Sequence, residues 1–120
     1  MSEQPRVLVV DDNATNRFLL SRLSSSLGFS VDEAENGQAA VAKALSGVYA
    51  VILMDLAMPV MDGVEATRRL RAEGVTVPVI AVSAHIGSDD RLDLKEAGFD
   101  GAVPKPVDFP ALTQFLTAAL

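Results

Sequence analysis

Four places in the chain carry side chains able to do chemistry, and each follows an apolar run. Asp11-Asp12 follow RVLVV, Asp55 follows Val51–Met54, Ser83 closes PVIAVS and Lys105 follows GAVP. Three carboxylates gathered together would repel one another and could not all stay ionised unaided. A hard divalent cation such as Mg²⁺ resolves that conflict, since it takes one or two carboxylates, a carbonyl, waters and a phosphate oxygen. Lys105 adds a point charge suited to a phosphoryl group, and Ser83 adds a hydroxyl donor. Carboxylate, cation, hydroxyl and ammonium together describe a site for making and breaking an aspartyl phosphate. Each element alone is weak; the weight lies in their joint placement.

That placement depends on the elements carrying them. Val51–Met54 is short and rich in β-branched and large aliphatic residues, and Pro59 soon after it cannot continue a ladder. The run reads as a strand buried on both faces, as in a parallel sheet. Arg6–Val10 reads as a first strand, with Asn13 as N-cap of a helix from about Ala14 to Leu27. Leu20, Leu23 and Leu27 form its inward stripe and Gly28 stops it. A second strand, Phe29–Ala34, precedes a helix capped by Asn36 and running to about Ser46, with Ala40, Ala44 and Leu45 inward. The strand Ala50–Asp55 is followed by a turn at Asp62-Gly63 and a helix from about Val64 to Glu73, closed by Gly74. Pro78–Ser83 is a fourth strand, and a helix spans about Ser88 to Ala97 with Gly98 as its stop. Gly101–Pro104 is a short edge strand. Asp108 caps the last helix, which buries Leu112, Phe115 and Leu116. Five strands alternating with five helices imply a parallel sheet covered on both faces by right-handed crossovers. Such a sheet puts all four strand ends on one edge, where ligands bind in open α/β sheets.

Composition narrows the classes. The 120 residues make one domain, expected to span 1–120 with no output domain, and the 49% apolar and 22% charged content suits a soluble globule. A net charge of −6 argues against direct nucleic-acid binding. The absence of cysteine excludes disulfides and thiolate metal sites and is compatible with a reducing compartment. No signal-like or membrane-spanning run is present, so a cytoplasmic protein without membrane insertion is expected.

On VVDDN (Val9–Asn13), LMDLAMPVMDG (Leu53–Gly63), AVSA (Ala81–Ala84) and PKP (Pro104–Pro106), the chain resembles the receiver domains of two-component response regulators over essentially its whole length. The resemblance implies a flavodoxin-like (βα)5 three-layer sandwich, an α/β fold with parallel strand order 2-1-3-4-5. It implies Asp55 as phosphoacceptor, with Asp11, Asp12, Asp55 and the carbonyl of Ala57 holding Mg²⁺. Ser83 matches the switch hydroxyl and Lys105 the phosphate-pairing lysine, and the Lys105–Pro106 peptide is often cis in the family. DDNATNR looks most like receivers attached to hybrid histidine kinases, and some stand-alone receivers share it. The implied partner is a histidine kinase or histidine phosphotransfer protein, with output through protein contacts or onward phosphotransfer, no external substrate turnover, and a monomeric state. One departure stands out: Ala102 occupies the place where the family usually has a switch Tyr or Phe, which puts the usual conformational readout in doubt.

Other classes fit less well. A haloacid-dehalogenase-type phosphatase needs a second acid two residues after its nucleophile, where this chain has Ala57. A flavin module would want a Ser/Thr/Gly-rich phosphate loop after the first strand, where Asp11-Asp12 would repel phosphate. A phosphorylation-independent interaction receiver is the remaining alternative. His85, the only histidine, reads as a polar loop residue without companion ligands for a metal. Met54, Met58 and Met61 read as core and loop packing. Phe18 falls opposite the leucine stripe, so an exposed ring and a docking contact for a histidine-bearing helix are expected there.

Overall fold

A computed structural model of the chain describes residues 4–84 and 91–120. Strands and helices alternate as β1 (Arg6–Val10), α1 (Ala14–Ser26), β2 (Ser30–Ala34), α2 (Gly37–Ser46), β3 (Val51–Met54), α3 (Gly63–Ala72), β4 (Val79–Ser83), α4 (Arg91–Ala97), β5 (Gly101–Pro104) and α5 (Phe109–Ala118). Every pairing is parallel and the order is β2-β1-β3-β4-β5, the expected flavodoxin-like arrangement.

Strand alternation divides the core in two. Leu8, Val10, Ile52, Met54, Val79 and Ala81 point to one face and meet Ala40, Ala44, Ala66, Leu70 and Leu94 of α2, α3 and α4. Val7, Val9, Val51, Leu53, Ile80, Val82 and Val103 point to the other and meet Leu20 of α1 with Leu112 and Leu116 of α5. Burying each large aliphatic side chain contributes roughly 1.5–3 kcal/mol, so β1 and β3, apolar on both faces, anchor the sheet. Asn13, Asn36, Asp62 and Asp108 cap α1, α2, α3 and α5, each accepting from a backbone N–H three residues on at 2.8–3.2 Å. Gly28, Gly74 and Gly98 close α1, α3 and α4 with φ of +102°, +84° and +111°.

Several expectations shift in detail. Leu45 is not inward: it is 49% exposed, one residue round the helix from Ala44, and Gly37, Ala40 and Ala44 carry the buried face of α2. Leu23 and Leu27 are only partly buried, and Ser24 lies fully buried in the α1 stripe because its Oγ donates to the Leu20 carbonyl at 2.8 Å. Phe115 is half-buried, packed over Gly101. Element ends differ from the sequence reading by about one residue. The expected α4 start at Ser88, and His85, lie outside the described residues.

A connection at the amino edge of the sheet was not anticipated. Arg71, near the end of α3, donates to the carbonyls of Val75 and Val77 at 2.9 and 2.8 Å. It also donates twice to the Gly98 carbonyl, at 3.0 and 2.7 Å, and to Asp100 Oδ2 at 3.0 Å. One guanidinium thus ties the loop entering β4 to the loop entering β5.

Candidate functional site

Register determines what meets at the carboxyl edge. Val10 pairs with Met54, so Asp11 and Asp55 leave the sheet side by side. The Asp55 N–H donates to the Val10 carbonyl at 2.9 Å, and the Asp11 N–H to the Ala34 carbonyl at 3.1 Å. Ser83 pairs with Pro104, and the Lys105 N–H donates to the Ser83 carbonyl at 2.9 Å. The four strand ends singled out by sequence therefore share one edge.

Carboxylate oxygens of Asp11, Asp12 and Asp55 lie within 4.8 Å of one another. Asp11 and Asp55 are buried, Asp12 is exposed and Ser83 is buried. Lys105 Nζ stands 2.8 Å from Asp11 Oδ2 and 3.6 Å from Asp55 Oδ2. Asp11 Oδ1 accepts from the Asn13 N–H at 2.9 Å. Burial pushes the Asp55 carboxyl above its ordinary range, the Asp11 charge adds to that, and Lys105 and the Ala57 N–H oppose it, with a further upward push from Asp12. Three carboxylates against one ammonium leave two negative charges when all are ionised, which a divalent cation would balance. The oxygen donors suit a hard ion.

Raising the proton affinity of Asp55 on folding has a sign. Between the ordinary value of 3.8 and its folded value the native state holds more protons than the unfolded chain, so stability falls as pH rises through that window. Asp55→Asn is therefore expected to stabilise the metal-free protein at neutral pH by about 0.5–2 kcal/mol. The gain should vanish below the ordinary carboxylate range, where Asp55 is neutral in both the folded and the unfolded chain. Urea midpoints at pH 7 and pH 3 with chelator present check this; a less stable asparagine variant at pH 7 would refute it.

The loop between β3 and α3 is held at several points. The Gly63 N–H donates to the Leu56 carbonyl at 3.0 Å and the Gly37 N–H to the Met61 carbonyl at 3.0 Å. The Met61 N–H donates to the Pro59 carbonyl at 2.8 Å, closing a three-residue turn around Val60 at φ +71°. That conformation is strained for a β-branched residue, and the Val60 side chain is exposed. The Lys105–Pro106 peptide is cis, as the resemblance implied. Ala102 is half-buried opposite Ala81, beside a groove that Leu94 and Phe99 also line. Phe18 is 58% exposed, with the Arg22 guanidinium 5.8 Å from its ring centre. It lines the α1–β2 side of the molecule rather than the groove at Lys105.

Sequence reasoning gave no role to Arg17, whose guanidinium donates to the Asp11 carbonyl at 2.8 Å and to Glu33 Oε1 at 3.1 Å. The only signal was its place in DDNATNR, one turn into α1.

A doubly covered 2-1-3-4-5 sheet with an acidic cluster and a lysine at its carboxyl edge defines a flavodoxin-like α/β domain. The chain belongs to the response regulator receiver domain family, whose model matches residues 7–117, and is a receiver domain of two-component systems. It is 43% identical over 106 residues to the two-component response regulator ORR41 of Oryza sativa subsp. japonica, covering 85% of this chain and 84% of that one. The structure of response regulator TrrA from Thermotoga maritima in complex with Mg²⁺-BeF superposes with a TM-score of 0.86 at 33% identity, covering 97% of this chain and 99% of that one. The receiver domain of the sensor histidine kinase PA1611 from Pseudomonas aeruginosa PAO1, with a magnesium ion coordinated in its active site cleft, gives 0.86 at 35% identity, covering 97% of each chain. The chain spans 12–13% of the length of the sensor proteins it matches. No helix among the described residues is long and apolar enough to cross a membrane.

Proposed function

We propose that Asp55 is the phosphoacceptor of a two-component system or phosphorelay. A carboxylate oxygen of Asp55 attacks the phosphorus of a phosphohistidine. The P–O bond forms, the P–N bond breaks, and the departing imidazole nitrogen keeps the electron pair and takes a proton. Asp11, Asp12, Asp55 and the carbonyl of Ala57 would hold Mg²⁺, which when bound supplies charge neutralisation for the transferred phosphoryl group. Lys105 would turn from the carboxylates to a phosphoryl oxygen, and the Ser83 hydroxyl would donate to another. The observation that carries this reading is the convergence of three carboxylates within 4.8 Å, with Lys105 Nζ at 2.8 and 3.6 Å. The domain would turn over no external substrate and would pass on its state by protein contacts or onward transfer.

The test is an intact-mass shift of one phosphoryl group with a small phosphodonor and Mg²⁺. Asp55→Asn should abolish the shift, and Asp12→Ala should weaken Mg²⁺ binding and slow the reaction. A full shift in Asp55→Asn would sink the assignment, leaving an interaction domain whose output ignores phosphate.

The partner would be a histidine kinase or a histidine phosphotransfer protein. Leu19 and Phe109, 46% and 43% exposed, line a cleft of about 250 Å³ together with Lys105, Pro106 and Val107. Phe18 faces away from that cleft, so Leu19 is the better docking candidate. Leu19→Ala is expected to slow transfer from the cognate histidine about tenfold, on the scale of an interface anchor. Transfer from a small phosphodonor should be unchanged. Equal slowing by Phe18→Ala alone would move the contact to the α1–β2 side.

A further inference from the structure

We infer that Arg17 is a positioning residue for the acidic site, fixing the peptide that aims Asp12 at Asp55. The inference rests on the metal-site reading above. The carbonyl that Arg17 holds at 2.8 Å belongs to the peptide joining Asp11 to Asp12. A peptide is planar, so holding its oxygen also holds the direction of the Asp12 N–H and the course of the Asp12 backbone.

Asp11 and Asp12 differ in what else restrains them. The Asp11 N–H is bonded to the Ala34 carbonyl, its Oδ1 accepts from the Asn13 N–H, and its Oδ2 accepts from Lys105. Asp12 is exposed, and its carboxylate accepts no hydrogen bond from the described residues. Its place within 4.8 Å of the other two therefore rests on its backbone. Arg17 is well made for that work. Its side chain is 19% exposed, and Glu33 on β2 takes its Nε at 3.1 Å, leaving Nη1 for the carbonyl. The planar fork serves both partners at once, which a lysine ammonium on a flexible stem does not reproduce.

The sign of the effect separates positioning from charge. Deleting a cation beside an acidic cluster makes the potential there more negative, so by charge alone Mg²⁺ should bind more tightly. Loss of positioning makes it bind more weakly. Mg²⁺ titrations of the full chain, followed by backbone amide shifts, would compare wild type with Arg17→Met, Arg17→Lys, Glu33→Gln and Asp12→Ala, each with its urea midpoint. Arg17→Met is expected to raise the Mg²⁺ dissociation constant about tenfold, the lower end of what losing a partner outside the ligand shell costs a metal site. Arg17→Lys keeps the charge and should weaken binding in the same direction, and it carries the test if Arg17→Met is too unstable. Glu33→Gln, which loses a partly exposed ion pair, should change affinity by at most about threefold. Unchanged or tighter Mg²⁺ binding in a folded Arg17 variant overturns the inference. If Asp12→Ala leaves wild-type Mg²⁺ binding intact, the metal-site reading falls and this inference falls with it.

Discussion

Gly63→Ala is expected to destabilise the domain by about 3 kcal/mol and to slow phosphorylation of Asp55. Gly63 is buried at the first turn of α3, its N–H bonded to the Leu56 carbonyl at 3.0 Å. A methyl group there would press on the Asp55 carbonyl oxygen and lie 2.9 Å from Met54 Cγ. The methionine can yield, but the carbonyl belongs to the strand end that carries the proposed nucleophile. Relief must come from moving either α3 or Asp55. A displacement of the nucleophile by an ångström can cost on the order of 100-fold in rate. Urea midpoints and the rate of mass shift with a small phosphodonor measure the two effects. Gly28→Ala is the control: nothing lies within 4 Å of its added carbon, so it should show only the backbone cost of φ +102° and no loss of rate. A Gly63→Ala protein with wild-type midpoint and rate would show that α3 can shift freely, contrary to this expectation.

The second large effect should appear at the other edge of the sheet and leave the chemistry alone. Arg71→Met strips a charged donor from the carbonyls of Val75, Val77 and Gly98 and from Asp100. Asp100 Oδ2 also accepts from the Val79 N–H at 2.9 Å, so the pairing that starts β4 loses a support for its own partner. Hydrogen bonds from charged donors contribute about 1.5–3 kcal/mol each, and stranded acceptors add to the loss. Because part of the loop can turn to water, a total of about 3 kcal/mol is expected. Arg71→Lys should recover little, since one ammonium cannot serve two loops. Once folded, the variant should take up phosphate at the wild-type rate. A midpoint within experimental error of wild type would show that the loops are held by their own backbone.

Much of this architecture could be read before any coordinates because its strands are punctuated. Apolar runs ending abruptly in Asp11, Asp55, Ser83 and Lys105 mark both the strand and its chemical end, and parallel pairing then brings the ends together. Caps at Asn13, Asn36 and Asp108 were legible because a short polar side chain before a helical pattern has one main use, whereas Asp62, read as a turn residue, also proves to cap α3. The failures have separate physical causes. Leu45 was read as inward from its type, but α2 packs closely on the small side chains of Gly37, Ala40 and Ala44, and the leucine is left outside. Arg17 and Arg71 were invisible because their main partners are backbone carbonyls, which every residue has and no sequence pattern marks. Gly63 was read as a turn residue, whereas its closest constraint is the backbone of Asp55, eight positions earlier in the chain.

Tyr49 sits just before β3, at the edge of the sheet away from the acidic cluster, and its hydroxyl donates to Asp32 Oδ2 at 2.7 Å. Burial, then that hydrogen bond, pushes its phenol from 10.0 up to about 12. The chain has no tryptophan and this is its one tyrosine, so its near-ultraviolet chromophore answers to the fold and is distant from the chemistry. Between those two values the folded protein keeps the phenol protonated while the unfolded chain releases the proton. Stability contributed by the protonated phenol is whole below 10 and drains away as pH climbs towards 12. Alkaline unfolding should therefore announce itself by the phenolate band rising in step with the loss of helix signal, a built-in optical gauge that needs no added label.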